Sequence, residues 1–475
     1  MPGAGLTSGT CAKALSDRPA FQPYWGKPTV RNDRGDGGNV GIIRSPLRAT
    51  VLPDRKAARE NKEMKFTALL HHLTIDLLRE SFYSLKRKAA PGVDGVTWQE
   101  YENGIEDRRI DLHGRVHRGA YRAQPSRRVY IEKEDGRQRP LGVAALEDKL
   151  VQYAVATILN QIYEEDFLGF SYGFRPGRSQ HQALDALSYA LLKKKVNYVL
   201  DADIRGFFDN LDHRWLIKFV EHRVADPRIL RLIQKWLKAG VMEEGKWSEV
   251  QTGSPQGSVI SPLLANIYLH YSFDLRVNVW RRKYAQGEVV VIRYADDTIV
   301  GFQYQTDADH FLENLRERLG KFGLELHPDK TRRIEFGRFA EQNRERRGEG
   351  RPETFDFLGF KHISGKNGLG RFMVRRTTIR KRMRAKLRQI KQQLRERTRS
   401  RAPNRTVAPV DRPRLLQLLR GTGKPQEPGW IPGPGACALV AHSSPPEPET
   451  LGVLDAHPST GSAMAPSTAC APSLS

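Results

Sequence analysis

Four aspartates in two short stretches carry the clearest chemical signal in this chain. Asp296 and Asp297 lie between β-branched runs at 289–292 and 298–300, in V-V-V-I-R-Y-A-D-D-T-I-V-G-F. The segment reads as a hairpin with Ala295, Asp296 and Asp297 at its turn. Adjacent carboxylates at a hairpin tip repel each other unless a divalent cation neutralises them, and hard oxygen donors of this kind suit Mg2+. Alone, the stretch reads equally well as an ordinary solvated turn. A second stretch changes the balance: residues 198–200 read as a short strand running into D-A-D-I-R-G-F-F-D-N-L-D-H. The period of two puts Asp201 and Asp203 on one face of it. Two strands then present Asp203 beside Asp296 and Asp297. Three carboxylates from two strands are what two-metal nucleotidyl transfer needs, one ion to activate a primer 3′-hydroxyl and another to hold a triphosphate and its leaving oxygen.

The elements that must position these groups can be traced along the chain. Leu69, Leu70, Leu73, Leu77, Leu78, Phe82 and Leu85 recur at helical spacing and predict an amphipathic helix over 66–88. The turn residues of A-A-P-G-V-D-G then stop it. Residues 127–142 read as a hairpin with Asp135-Gly136 at its tip, and 146–163 as a helix. In F-S-Y-G-F-R-P-G-R-S at 170–179, aromatics alternate with Arg175 and Arg178. Such a loop can track a nucleic-acid backbone and stack on bases, or it can pack against the sheet; the first reading is preferred. Helices are expected at 213–224 and 227–237, with Trp215, Leu216, Phe219, Leu232 and Trp236 inward. T-G-S-P-Q-G-S-V-I-S-P at 252–262 has turn chemistry followed by a helical run, and 307–322 is a further amphipathic helix. His327 has no partner His or Cys in a ligand pattern and reads as structural. From 375 to 399 there are 12 Lys and Arg against one acid, Glu396, around an apolar stripe of Ile379, Met383, Leu387, Ile390 and Leu394. That is a basic helix suited to gripping a duplex.

Composition agrees with a polyanionic partner. The 475 residues hold 78 Lys and Arg against 54 Asp and Glu, a net charge of +24. Only 6 basic and 5 acidic side chains lie beyond residue 400, so nearly all of the excess falls where the motifs are. The three cysteines, Cys11, Cys437 and Cys470, offer neither a disulfide framework nor a zinc pair. No apolar run spans a bilayer and no signal-peptide core is seen, so a cytoplasmic protein without a membrane partner, with nucleoid association as the alternative, is expected.

The ordered series A-A-P-G-V-D-G (89–95), R-P-L-G (139–142), S-Y-G-F-R-P-G-R-S (171–179), A-D-I-R-G-F-F-D-N (202–210), T-G-S-P-Q-G-S-V-I-S-P-L-L-A-N (252–266), Y-A-D-D (294–297), H-P-D-K-T (327–331) and F-L-G-F (357–360) resembles the group II intron-encoded reverse transcriptases with maturase activity. The resemblance covers about 80–400. It implies an α+β right-hand polymerase with fingers, an antiparallel-sheet palm and a partial helical thumb. It implies RNA-directed DNA polymerisation by Asp203, Asp296 and Asp297 with two Mg2+ ions, or Mn2+ in their place. Lys133 and Arg139 match the residues that neutralise the triphosphate, although Glu132 stands where the family usually has proline. Phe208 matches an aromatic gate under the sugar; a core phenylalanine is the alternative. Gln256, Gly257 and Ala295 match nucleotide contacts. Arg175, Arg178, Lys330, Gly359, Arg380, Lys381, Arg384 and Arg388 are the expected nucleic-acid contacts. The implied partners are group II intron RNA, an RNA template with a DNA primer, deoxynucleoside triphosphates and a DNA target. Two other readings are an RNA-binding maturase whose polymerase is dead or crippled, and a related reverse transcriptase of phage defence.

The expected division is an arm or leader without its own core at 1–63, with Met64 an alternative start, then fingers at 64–190 and palm at 191–365. The reverse transcriptase domain covers about 114–362, the start of a thumb 366–400, and a low-complexity tail 401–475. The tail holds 13 of the 28 prolines and is not expected to fold by itself. With third bases chosen freely, a one-base shift of the reading frame can turn L-L-Q-L-L-R-G-T-G-K-P at 415–425 into Y-Y-N-Y-Y-A-V-P-G-N. The same shift can turn 441–449 into R-T-L-R-R-R-S-Q. Both resemble thumb motifs of the family, so a frameshift near 397–404 is expected.

Overall fold

The β-branched runs flanking the aspartates become neighbouring strands. The computed structural model describes residues 46–132, 138–249, 252–253 and 257–399. Its strands begin with β1 (Ser126–Glu132) and β2 (Gln138–Val143), then β3 (Tyr198–Asp203), β4 (Val241–Glu243) and β5 (Lys246–Ser248). The acidic hairpin is β6 (Val289–Tyr294) and β7 (Asp297–Phe302), followed by β8 (Arg332–Glu335), β9 (Thr354–Phe357), β10 (Phe360–Lys366) and β11 (Phe372–Thr378). The central sheet has the order β6-β7-β3-β8 and is antiparallel throughout.

Alternation along these strands supplies two cores. Leu200, Ala202, Val291, Val300 and Phe302 face the larger one, with Leu264 and Ile267 of the helix Ser261–Leu269 and Phe311 of the helix Gln305–Gly320. Val199, Ile292, Ile299 and Ile334 face the smaller one, with Leu184, Leu187 and Leu191 of the helix Gln180–Lys193 and Phe355 and Phe357 of β9. A sheet covered on both faces is held in register, because a slip of one residue would turn every strand inside out.

A second sheet has the order β2-β1-β4-β5, with β1 and β4 parallel, and a third the order β11-β10-β9. The helix Leu146–Asp166 buries twelve of its side chains. The mixed α+β architecture, with its antiparallel central and third sheets and the helical segment Arg380–Arg399, fits the right-hand polymerase that the resemblance implies.

Local chemistry moves several expected boundaries. The helix foreseen over 66–88 spans only Ile75–Ser84, because Thr74 caps it by accepting from the Leu77 amide. Upstream, the buried carboxylate of Asp226 takes the amides of Leu69 and Leu70 at 2.8 and 3.0 Å and holds that stretch out of the helix. The segment expected to be a structureless arm contains a helix at Pro46–Glu60. It docks on the Leu146–Asp166 helix through Arg55 and Arg59 on Glu165, at 2.6 and 3.0 Å. Buried Arg223 donates to the Ala58 carbonyl near its end. Arg375 and Arg376 lie on β11, so the basic helix begins at Arg380. The expectations for 1–45, for the Asp135-Gly136 tip and for 401–475, including the frameshift, fall outside the described residues.

Candidate active site

The register of the central sheet decides where the carboxylates meet. In the antiparallel pairing of β3 with β7, Asp203 stands opposite Asp297, and in the hairpin Tyr294 stands opposite Asp297. Ala295 and Asp296 form the two-residue connection between the strands. Tight hairpin loops demand positive φ, and Ala295 supplies it at 57° despite its Cβ. Asp203 is 6% exposed. Facing carboxylates repel each other, so this arrangement is stable only with positive charge beside it.

One such charge belongs to the chain itself. The H-P-D-K-T turn docks on the end of β3, where the His327 amide donates to the Asp203 carbonyl at 2.7 Å. This delivers the Lys330 ammonium to Oδ2 of Asp203 at 2.8 Å. The sequence marked Lys330 as a phosphate contact; the structure puts it on an aspartate. The donor set also suits a hard divalent cation, since carboxylate oxygens are the ligands Mg2+ prefers. Among the described residues, no group of three or more His, Cys, Asp or Glu side chains is arranged to hold an ion.

The turn expected to meet the nucleotide is braced from two sides. On one side, Thr252 Oγ1 donates to the Asp209 carbonyl at 3.2 Å and the Gly253 amide to the Leu211 carbonyl at 2.8 Å, tying it to the Phe207–Asp209 turn. On the other side, Gly257 approaches β2 so closely that a Cβ would lie 2.0 Å from the Gly142 carbonyl oxygen. Arg139 is on the same strand as Gly142, opposite Ile131 of β1. Phe208 is 5% exposed, edge-on to Phe207 at 5.2 Å. Lys133 and Gln256 lie outside the described residues.

The two arginines of the aromatic loop separate. Arg175 is 5% exposed. Its Nη2 pairs with Glu164 at 3.0 Å, and its Nη1 donates to the Leu168 and Ser171 carbonyls at 2.8 Å. Arg175, expected as a nucleic-acid contact, thus lies buried with its donors engaged by Glu164 of the preceding helix and by carbonyls of its own loop. Arg178 is half-buried, with its guanidinium 5.2 Å from the Tyr172 ring. In F-L-G-F, Leu358 and Gly359 form the β9–β10 connection with φ of 48° and 86°, and Gln180 donates to the Leu358 carbonyl. The Gly359 carbonyl accepts from the Ile379 amide at 3.3 Å, which seats the basic helix on this turn. Arg380, Lys381, Arg384 and Arg388 are exposed along it.

Sequence reasoning passed over Arg293, which is completely buried between the greasy residues of β6 and the acidic turn. The available signal was a full charge inside a β-branched run, which is rare unless that charge is paired.

Comparison with known proteins agrees with this geometry. Residues 131–362 match the family model described as reverse transcriptase (RNA-dependent DNA polymerase). Protein YkfC of Escherichia coli (strain K12) is 34% identical over 282 residues, covering 52% of this chain and 73% of that protein. Group II intron-encoded protein LtrA of Lactococcus lactis subsp. cremoris is 36% identical over 227 residues, 47% of this chain. The matched part is only 38% of LtrA. An uncharacterized 91 kDa protein in the cob intron of Schizosaccharomyces pombe is 42% identical over 146 residues, covering 31% of this chain and 18% of that protein. Among the described residues no helix is long and apolar enough to cross a membrane. With a reverse transcriptase domain, a divalent-metal enzyme class and these intron-encoded relatives, the chain belongs to the group II intron reverse transcriptase and maturase family.

Proposed function

We propose that this chain extends a DNA primer on an RNA template from deoxynucleoside triphosphates, and that it binds its parent group II intron RNA to support splicing and insertion into a DNA target. The observation that carries the polymerase reading is the pairing of Asp203 with Asp297 beside the Asp296 turn. Two Mg2+ ions, or Mn2+ in their place, held by Asp203, Asp296 and Asp297, would supply charge neutralisation for in-line attack of the primer 3′-oxygen on the α-phosphorus.

The chain's own residues do the rest. The Gly257 turn, set against the Gly142 carbonyl, presents backbone to the incoming sugar and phosphate. Arg139, and Lys133 with it, hold the triphosphate oxygens that leave as pyrophosphate. Phe208 lies under the sugar and excludes a 2′-hydroxyl, and Lys330 holds the Asp203 carboxylate in place. Arg178 and the exposed row from Arg380 to Arg388 face the phosphates of template, primer and intron RNA. RNA, primer and triphosphates meet in the cytoplasm, which is where this chemistry would run.

The test separates chemistry from affinity. Asp296→Ala is expected to abolish metal-dependent primer extension on an RNA template while intron-RNA binding changes less than about threefold, because one carboxylate adds little to a basic surface. Equal loss of both would overturn the division of labour.

A further inference from the structure

A guanidinium placed where water cannot reach it is costly unless its N–H groups find partners. Arg293 is 0% exposed, and so is the side chain of its ion-pair partner Asp274. Its Nε donates to Asp274 Oδ1 at 2.7 Å and its Nη2 to Asp274 Oδ2 at 2.6 Å, a bidentate fork. Nη2 also donates to Ser171 Oγ at 2.7 Å. Nη1 donates to Asn266 Oδ1 and to the Ala295 carbonyl, each at 3.0 Å. Every nitrogen of the guanidinium is thus engaged.

These partners come from three other parts of the chain. Asp274 arrives on a π-helical turn, His270–Asp274, an irregularity that recurs at functional sites. Asn266 ends the T-G-S-P-Q-G motif run, and its Nδ2 donates to the Gly173 carbonyl at 2.8 Å. Ser171 belongs to the aromatic loop, which also pairs with the Arg293 backbone: Arg293 N donates to the Phe170 carbonyl at 2.9 Å and Tyr172 N to the Arg293 carbonyl at 2.8 Å. That loop passes so near the acidic turn that a Cβ on Gly173 would stand 2.2 Å from the Ala295 nitrogen.

Burial of the charge pair would be satisfied by Asp274, Asn266 and Ser171. The remaining bond goes to Ala295, the residue held at a φ of 57° immediately before Asp296. A side chain with a Cβ resists that conformation, so something must hold it there. Arg293 reaches over the backbone of its own hairpin to do so.

We propose that Arg293 is a positioning residue for the acidic turn: its Nη1 fixes the Ala295 carbonyl and so the left-handed geometry that aims Asp296 and Asp297, with Asp274, Asn266 and Ser171 fixing the guanidinium in turn. This inference rests on the reading of Asp203, Asp296 and Asp297 as divalent-cation ligands. A lysine at 293 keeps the charge that Asp274 needs but has a single nitrogen, so it cannot serve Asp274 and Ala295 together.

The experiment is a Mn2+ titration of the full chain followed by electron paramagnetic resonance, with thermal melts on the same samples. Asp297→Asn comes first: if the wild-type chain binds no Mn2+, or if this variant binds it equally well, the cation reading itself fails. Given wild-type binding that depends on Asp297, Arg293→Lys is expected to melt cooperatively, to bind Mn2+ at least fivefold more weakly and to give an altered bound-Mn2+ spectrum. A folded Arg293→Lys chain with wild-type affinity and spectrum overturns the proposal. Should that variant fail to fold, Asn266→Ala decides. It leaves the Asp274 pair intact, removes the Asn266 acceptor that steadies the nitrogen holding Ala295, and also gives up the bond to the Gly173 carbonyl; weaker Mn2+ binding in a variant that melts like wild type supports the proposal, and unchanged binding overturns it.

Discussion

The Lys330 ammonium lies 2.8 Å from Oδ2 of Asp203, at the end of the strand where Asp297 faces the same aspartate across the ladder. The lysine side chain is 43% exposed, so the pair is worth only about 1 kcal/mol in water, but it offsets a repulsion built into the sheet. Lys330→Met is therefore expected to lower stability by about 1 kcal/mol without divalent ions and by less with saturating Mg2+, which would take over the neutralisation. Melting curves with and without Mg2+ check this. An equal loss in both conditions would mean that the lysine does not share its task with a cation.

The hairpin itself was legible because its evidence is local: β-branched runs with period-two alternation bracket Asp296 and Asp297 within fourteen residues. The register of Asp203 against Asp297, and the arrival of Lys330, depend on pairings between segments far apart in the chain, for which motif order served as a proxy. Arg175 shows where pattern is ambiguous. Alternating aromatics and arginines look the same whether the guanidinium faces RNA or Glu164, and Glu164 sits on the preceding helix. The helix over 66–88 was overextended for a similar reason, since leucine spacing cannot reveal that Asp226 would capture two amides more than 150 residues upstream.

Arg175 and Arg178 give a paired test of these two placements. Arg175→Ala strips Glu164 of a nearly buried partner and is expected to cost about 3–5 kcal/mol of stability. Arg178→Ala should leave stability within about 0.5 kcal/mol. It should weaken RNA binding and reduce the slope of log affinity against log salt by about 1. Denaturant melts and salt-dependent filter binding on both variants are the measurement; the reverse assignment of effects would restore Arg175 as an RNA contact.

His362 predicts a pH dependence remote from the site. Its ring is buried and stacked on Phe355 at 4.8 Å, and burial, with help from nearby Arg376, pushes its pKa down to about 3. Between the ordinary value near 6.5 and that value the unfolded chain binds the proton and the folded chain does not. Stability must therefore fall as pH drops through this window. His362→Phe removes the proton acceptor, so it should stabilise the fold by about 2 kcal/mol at pH 5 relative to its effect at pH 7.5. Urea melts at the two pH values test it, and a pH-independent effect would show that His362 is not the group concerned.

Gly257 and Gly142 bring the last prediction, because they join the turn meant for the nucleotide to the strand that carries Arg139. Gly257 has a φ of 126°, and a Cβ there would lie 2.0 Å from the Gly142 carbonyl oxygen. The position of a Cβ is fixed by the backbone and the atom it meets is a backbone oxygen, so no rotamer change can relieve the clash; the turn and β2 must part. The turn's other anchor, Thr252 and Gly253 on the Asp209 and Leu211 carbonyls, is untouched, so the displacement should concentrate on the fingers side. Gly257→Ala is expected to cost about 2–4 kcal/mol, combining overpacking with the backbone penalty. In the fraction that folds, it should raise the KM for deoxynucleoside triphosphates at least tenfold while RNA affinity stays within about twofold. Steady-state primer extension and filter binding on the same preparation measure both. A KM equal to wild type in a folded Gly257→Ala chain would remove this turn from the nucleotide site, and with it the reading that the fingers strand and the turn hold the triphosphate together.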